Sequence, residues 1–326
     1  LLRSRITGTG SYAPEKVLSN IDLEKMVDTS DEWITERTGI KERRIAKASQ
    51  AASDLGFEAS KKALHNAGVK PRDIDMIIVA TVTGDMPMPS TAAILQYKLG
   101  MKNSAAFDLN AACSGFLYGL SVADSFIKNG NSKKILLVGT EVLSRFTDWE
   151  DRTTCVLFGD AAGAVIVEAT KENRGIMSTH ISSDGNLWEL LNIPGGGSKC
   201  PPSKESVRKR EHYIKMKGNE TFKIAVKTME RLVAETLKEN KIKPSELSLL
   251  IPHQANLRII QAIAQRLNLP MDKVVVNIDR YGNTSSASIP IALDEALRAG
   301  RIRDGDYILL EAFGGGLTWA SALIKW

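Results

Sequence analysis

Apolar positions along the chain fall into two alternating rhythms. Short, nearly unbroken runs such as MIIVATV (76–82), ILLVG (135–139) and SLLIP (248–252) read as strands buried on both faces, because such a strand has no polar side to show. Between them lie longer stretches whose apolar residues recur three and four apart. DLGFEASKKALHNAG (54–68), SGFLYGLSVADSFIKNG (114–130), FKIAVKTMERLVAETLKEN (222–240) and QANLRIIQAIAQRL (254–267) therefore predict amphipathic helices.

The alternation repeats itself. KPRDIDMIIV (70–79) resembles KPSELSLLIP (243–252) at an offset of 173, and each follows a helical pattern. FDLNAACSGFLYGLSVADSFIKNG (107–130) parallels VNIDRYGNTSSASIPIALDEALRAG (276–300), each read as a short strand, a polar turn and a helix closed by glycine. From Gly130 to Gly300 the offset is 170, which pairs Cys113 with Asn283. KKILLVG then matches DYILLEAFGGG, and AGAVIVEA matches ASALIKW. The pattern predicts an α/β protein whose halves, 1–170 and 171–326, pack as one α/β/α/β/α unit. Two independent α/β domains joined through the Lys199 region are the alternative.

Three polar turns in this pattern carry candidate chemistry. Cys113 falls between a strand-like and a helix-like segment, so it is expected in a helix's first turn, where free N–H groups and the dipole lower a thiol's pKa. A buried inert cysteine is the competing reading. His253 ends the SLLIP strand, the end at which open α/β folds place ligands, although a lone histidine is as readily structural. Asn283 lies in RYGNTSSAS, where Gly-Asn alone would be an ordinary turn. The glycines of EAFGGGLTWAS can present N–H groups to an oxyanion, but no Lys-Ser/Thr follows as a phosphate loop requires.

Composition narrows the classes. The chain has 326 residues, is 43% hydrophobic and carries a net charge of +5. Charges of both signs are mixed nearly everywhere, which argues against nucleic acid. The exception is the basic stretch Lys199–Lys217, read as a solvated loop. No apolar run reaches 18 residues, and the first ten residues carry charge where a leader needs an apolar core, so a soluble, non-secreted, cytoplasmic protein without membrane attachment is expected. Cys113, Cys155 and Cys200 suggest no disulfide framework. Four scattered histidines, His65, His180, His212 and His253, suggest no metal.

Longer motifs give a resemblance. DTSDEWITERTGIKERR (28–44), AACSG (111–115), DRTTCVLFGDAAGA (151–164), PHQANLRI (252–259), YGNTSSASIP (281–290) and FGGGLTWAS (313–321), in this order, closely resemble β-ketoacyl-acyl carrier protein synthase III, the starter condensing enzyme of type II fatty acid synthesis. The resemblance implies a thiolase-like duplicated fold and a homodimer. It also implies decarboxylative condensation of a starter acyl-CoA, acetyl-CoA for choice, with malonyl-acyl carrier protein. No resident cofactor is implied, since coenzyme A and phosphopantetheine arrive as substrates.

By the same resemblance Cys113 is the nucleophile, and His253 and Asn283 complete the triad. The N–H groups of Cys113 and Gly315 form the oxyanion hole. Trp33 and Arg152 hold the adenine of coenzyme A, Arg37 meets its phosphates, and Asn256 touches the pantetheine arm. Lys223 and the segment Gln254, Ala255, Asn256, Leu257 and Arg258 dock the carrier. Met88 contributes to the acyl pocket in place of an aromatic residue, which leaves the starter open. Other Cys-His-Asn enzymes of the superfamily, such as chalcone-type synthases and hydroxymethylglutaryl-CoA synthase, remain rivals, as does an inactive acyl-binding scaffold.

Overall fold

The computed structural model describes residues 2–326. β1 (Arg3–Tyr12) opens the first half, and a small pair, β2 (Lys16–Ser19) and β3 (Glu42–Ile45), brackets helices α1 (Asn20–Glu24) and α2 (Asp31–Thr38). Then follow α3 (Ala52–Ala67), β4 (Met76–Ala80), α4 (Thr91–Lys98), β5 (Ala105–Leu109), α5 (Gly115–Lys128), β6 (Lys134–Glu141) and β7 (Ala161–Thr170). The second half begins with β8 (Gly175–Ser183), and a short ribbon of β9 (Leu191–Asn192) and β10 (Lys215–Met216) encloses α6 (Lys204–Arg208). It continues through α7 (Gly218–Asn240), β11 (Leu247–Pro252), α8 (Leu257–Arg266), α9 (Ile278–Tyr281), α10 (Ser288–Arg298), β12 (Tyr307–Gly314) and β13 (Thr318–Lys325).

The two main sheets share one plan. The first runs β1-β7-β6-β4-β5 and the second β8-β13-β12-β11, extended past β11 by one parallel bridge from Leu250 to Val274. In both, one end of the sheet is parallel, β6-β4-β5 and β12-β11, and the other end antiparallel, β1-β7-β6 and β8-β13-β12. Strands with apolar residues on both faces need cover on both faces. Between the sheets, α5 and α10 bury Phe116, Leu120, Ile289 and Leu293 against Ile78, Leu137, Leu310 and Ala320. Outside the first sheet α3 packs Leu55 and Ala59 on Ile77 and Val138, and outside the second α7 and α8 pack Val233 and Ile260 on Leu250 and Leu309. Five layers result, as the thiolase-like reading required, and each fully buried Leu or Ile contributes about 1.5–3 kcal/mol to holding them.

The structure corrects the register of the repeat. β6 and β12 begin at Lys134 and Tyr307, α5 and α10 at Gly115 and Ser288, and α3 and α7 end on left-handed caps at Gly68 and Lys241. All three pairs are 173 apart. The counterpart of Cys113 is therefore Ser286, and Asn283 answers to Asn110. The offset of 170 arises only beyond the turns, because α10 has 11 residues where α5 has 14. The strand expected at VNID is also absent: Ile278–Tyr281 is a turn of helix, and only Val274 pairs with the sheet.

The halves interlock through glycines at strand ends. A Cβ on Gly314 of β12 would lie 2.6 Å from the backbone nitrogen of Cys113, and a Cβ on Gly139 of β6 would strike the carbonyl oxygen of Ser286. Backbone replaces side chain at both crossings, so the substitution has nowhere to go. Gly314→Ala is expected to lower stability by about 1–3 kcal/mol, read as a reduced urea midpoint at unchanged slope; an unchanged midpoint would show that the Cys113 turn yields freely.

Candidate active site

Cys113 lies in one tight 3-10 turn, Ala112–Ser114, between the polar end of β5 and the start of α5. Asn110 Oδ1 accepts the N–H of Ala112 at 3.3 Å, and Ala112 sits at φ 47°. The other half repeats this turn. Asn283 Oδ1 accepts the N–H of Ser285 at 2.9 Å, and Ser285 sits at φ 49° before the tight turn Ser285–Ala287 and α10. Left-handed backbone costs a residue with a Cβ about 1–3 kcal/mol and persists only where the surroundings impose it. Here two Asx turns and two glycine crossings impose it.

The three predicted residues meet around residues 283–288. The Ser285–Ala287 turn packs against the Cys113 turn, and the Ser285 hydroxyl acts on the Cys113 thiol. Asn283 is pinned through its backbone, its N–H donating to Leu157 O at 2.8 Å and its carbonyl accepting from Gly159 at 3.1 Å. Since Oδ1 is occupied by Ser285, the amide nitrogen of Asn283 is the end left to donate into the site. His253 is fixed by its N–H on Glu311 O at 2.8 Å and by Nδ1, 2.7 Å from Ser288 Oγ. Ser288 also receives the N–H of Gln254 at 3.4 Å, so its own proton is directed to Nδ1. With Ser288 donating to Nδ1, the ring proton is placed on Nε2, a donor like the Asn283 amide.

Electrostatics depart from the sequence expectation in one respect. The site is nearly dry, with Cys113 8%, His253 3% and Asn283 8% exposed. Burial pushes the Cys113 thiol up to about 11, helped by the charge of Glu141 and opposed by Ser285. The depressed thiol expected from the helix end is thus corrected: burial removes the water that would stabilise a thiolate. Burial also lowers His253 to about 3, so its ring is neutral. Glu311, whose carboxyl oxygens are buried without a partner, is held well above the usual carboxylate range by burial.

Outlying candidates divide. Trp33 of α2 lies between Arg152 at 4.8 Å and Arg37 at 5.2 Å from its ring, and Arg152 also meets Asp28 at 3.5 Å. Both guanidinium groups thus crowd the same ring. Asn256 caps α8, accepting from Arg258 N–H at 2.9 Å and donating to Arg37 O at 3.0 Å. Its carboxamide already ties α8 to α2. Lys223 and Arg258 are exposed, with Arg258 5.4 Å from the Phe222 ring, whereas Ala255 and Leu257 are half-buried.

Gln254 is corrected from docking residue to internal brace. It is 1% exposed, donates to Pro252 O and Val275 O, and accepts the N–H groups of Asn277 and Ile278. Met88 is 84% exposed. Gly315 abuts Ala112 and Leu191 in the turn between β12 and β13, beside Cys113. The basic stretch 199–217 is only partly a solvated loop, because it forms α6 and β10 and its Arg210 clasps Asp148 and Glu150, close to Arg152.

The sequence reading missed Glu141, Ser285, Ser286 and Ser288. For Glu141 a signal existed, a lone acid at the end of the apolar run ILLVGTEV; the serines of the SSAS run carry no signal that separates them from ordinary turn residues.

His253 supplies a prediction with a definite sign. Its pKa is about 3 in the native state and about 6.5 unfolded, so between these values only the unfolded chain takes up the proton. Native stability therefore falls as pH drops below about 6.5, by about 1.4 kcal/mol per unit. From pH 7.5 to 5 the parent should lose about 2 kcal/mol more than His253→Gln in urea unfolding; equal losses would mean the ring protonates normally in place.

Comparison with known proteins agrees with this geometry. Residues 107–185 match the family model for 3-oxoacyl-[acyl-carrier-protein (ACP)] synthase III, and residues 237–326 match the model for its C-terminal part. A β-ketoacyl-acyl carrier protein synthase III of Caldanaerobacter subterraneus is 57% identical over 98% of this chain and 97% of its own. One from Thioalkalivibrio sulfidiphilus is 56% identical over 99% of each. The crystal structure of 3-oxoacyl-acyl carrier protein synthase III from Aquifex aeolicus superposes with a TM-score of 0.93 at 51% identity, covering 99% of this chain and 100% of that one. The chain belongs to the β-ketoacyl-acyl carrier protein synthase III family of condensing acyltransferases.

Proposed function

We propose that the chain initiates fatty acid synthesis by carrying a starter acyl group on Cys113 and condensing it with malonyl-acyl carrier protein. The observation that supports this reading most directly is the pairing of one buried thiol with two neutral donors, His253 Nε2 and the Asn283 amide, around one turn.

In the first half-reaction the Cys113 sulfur attacks the thioester carbon of a starter acyl-CoA, acetyl-CoA for choice. The N–H groups of Cys113 and Gly315 receive the oxyanion, and the bond to coenzyme A breaks. The thiol proton leaves with coenzyme A, so the step balances without a further reactant. In the second, malonyl-carrier protein binds, its carboxylate departs as carbon dioxide, and the electron pair settles on the thioester oxygen as an enolate. Neutral donors suit this step, because loss of carbon dioxide makes the nucleophile and no base must remove a proton. The enolate carbon attacks the acyl-Cys113 ester and releases the sulfur.

For substrates, Trp33 and Arg152 suit an adenine ring and Arg37 a phosphate. Exposed Lys223 and Arg258 suit an acidic carrier, with Ala255, Asn256 and Leu257 beside them. No resident cofactor enters this cycle. A homodimer is supported by β5, which pairs only with β4 and leaves its other edge open, and by exposed Met88 and Tyr97. Met88 then reaches the acyl pocket of a second copy. Among the described residues no helix is long and apolar enough to cross a membrane, and with free cysteines this suits the cytoplasm.

Intact-mass measurement with acetyl-CoA separates the half-reactions. Cys113→Ser should take up no acetyl group. His253→Ala and Asn283→Ala should still acetylate within about tenfold of the parent, yet lose roughly 100- to 1000-fold in condensation with malonyl-carrier protein. Loss of acetylation with condensation spared would exchange the assigned roles, and indifference to the carrier would point to a relative that uses malonyl-CoA.

A further inference from the structure

The cycle above makes no use of Glu141. This residue ends β6, the strand beside β4, with no exposure to solvent. Its Oε2 accepts the Thr83 hydroxyl at 2.6 Å, the Val82 N–H at 3.1 Å and the Thr81 hydroxyl at 3.2 Å. Thr83 Oγ1 accepts the N–H of Val142 and Thr81 Oγ1 that of Thr83, so both hydroxyl protons are free to point at the carboxyl. Such a ring of donors fits an anion.

Glu141 also reaches the other half of the molecule. Ser286 Oγ lies 3.0 Å from Glu141 Oε1 and 2.8 Å from Ala80 O, and Ser285 acts on both Glu141 and Cys113. The position has a twin in the repeat. At the offset of 173 Glu141 corresponds to Gly314, which packs bare against the Cys113 turn. The same strand end carries no side chain in one half and a carboxyl in the other.

We propose that Glu141 is a positioning residue that acts through the Ser285–Ser286 turn, as a buried anion that opposes thiolate formation at Cys113 while the site is empty. Burial draws both groups upward, and each anion disfavours the other in a dry space. The donors around Glu141 favour the ionised carboxylate. Other charged groups leave that field unopposed. His253 is neutral and burial favours the neutral acid at Glu311 on β12; on α5, Asp124 pairs with Lys128, and on α10, Asp294 pairs with Arg298 and Glu295 with Arg280. Around β6, Asp85 is held by Ser53, Asp108 by the N–H groups of Thr91 and Ala92, and Asp160 by Ser144 and Ala46. Lys325 lies at the far end of β13. In the acylated enzyme there is no thiol proton, so the effect belongs to the resting state and keeps the free sulfur from other electrophiles.

The inference rests on Cys113 as the acyl-bearing residue, but its test needs neither substrate. Alkylation of the full chain by iodoacetamide, mapped to Cys113 by peptide mass, would be followed from pH 6.5 to 10.5. Glu141→Gln should move the profile down by about one unit, which makes reaction at pH 7 about tenfold faster. Glu141→Asp, which keeps the charge, should stay near the parent. Superimposed Gln and parent profiles, or equal shifts for Gln and Asp, would overturn the proposal. Should Glu141→Gln not fold, Glu141→Ala, which also removes the charge, should lower the profile likewise, and an unmoved profile there overturns it. Failure here would leave the condensation reading standing, since that is judged by acetylation and carrier-dependent product.

Discussion

The six residues Asn283–Ser288 are the constraint on which the site depends. They must place an amide, press a hydroxyl against the Cys113 thiol, answer a buried carboxyl and orient an imidazole, all before α10 begins. An isolated peptide would not hold such a shape. Ser285 is left-handed, and Gly282, at φ 64°, leaves room for Leu157 O where a Cβ would approach to 2.7 Å. The five-layer core makes the shape affordable, because sheets clamped between helices fix both strand ends against which the turn is folded.

Dryness determines what chemistry the arrangement favours. Low exposure raises the thiol and lowers the imidazole, so the resting state is neutral at sulfur and at nitrogen. A reaction that needed a strong base would be poorly served by it. One in which negative charge appears briefly on a carbonyl oxygen is well served, since donors fixed in a low-dielectric space need no reorganisation when the charge arrives. The same reasoning explains why an asparagine can stand where a charged residue might be expected. Its oxygen is consumed by the turn, and only its N–H end faces the reaction.

Legibility in the sequence followed the physics of each feature. Alternation of apolar runs with 3.6-period segments is enforced by burial on both faces, so the layers and the duplication could be read. Cys113 and His253 were found because each interrupts apolar sequence at a strand end, whereas Asn283, which follows a turn of helix, was reached through an offset that the structure corrects. The register of the repeat was misread because two glycines closing helices of different length looked equivalent, whereas the Asx turns that set the true alignment differ in all but their asparagine. Gln254 was misplaced because a motif on a chain does not reveal which way a side chain turns, and four backbone partners drew this one inward. The height of the thiol's pKa depends on how much water the completed fold excludes, which no local segment encodes.

The corrected register also changes the meaning of the duplication. With Cys113 opposite Ser286 and Asn110 opposite Asn283, the halves do not supply equivalent catalytic positions that face each other; each supplies one turn of the same make, and the turns have diverged within it. One has a cysteine at its second residue and leaves its asparagine exposed at the sheet edge, while the other has a buried asparagine followed by the hydroxyls of Thr284, Ser285 and Ser286. The strand ends behind them diverged in step, to Gly314 and Glu141. A symmetric pair of turns would have offered two thiols or two amides. In the proposed cycle, asymmetry at these matched positions is what lets one wall carry an acyl group and the other stabilise an enolate.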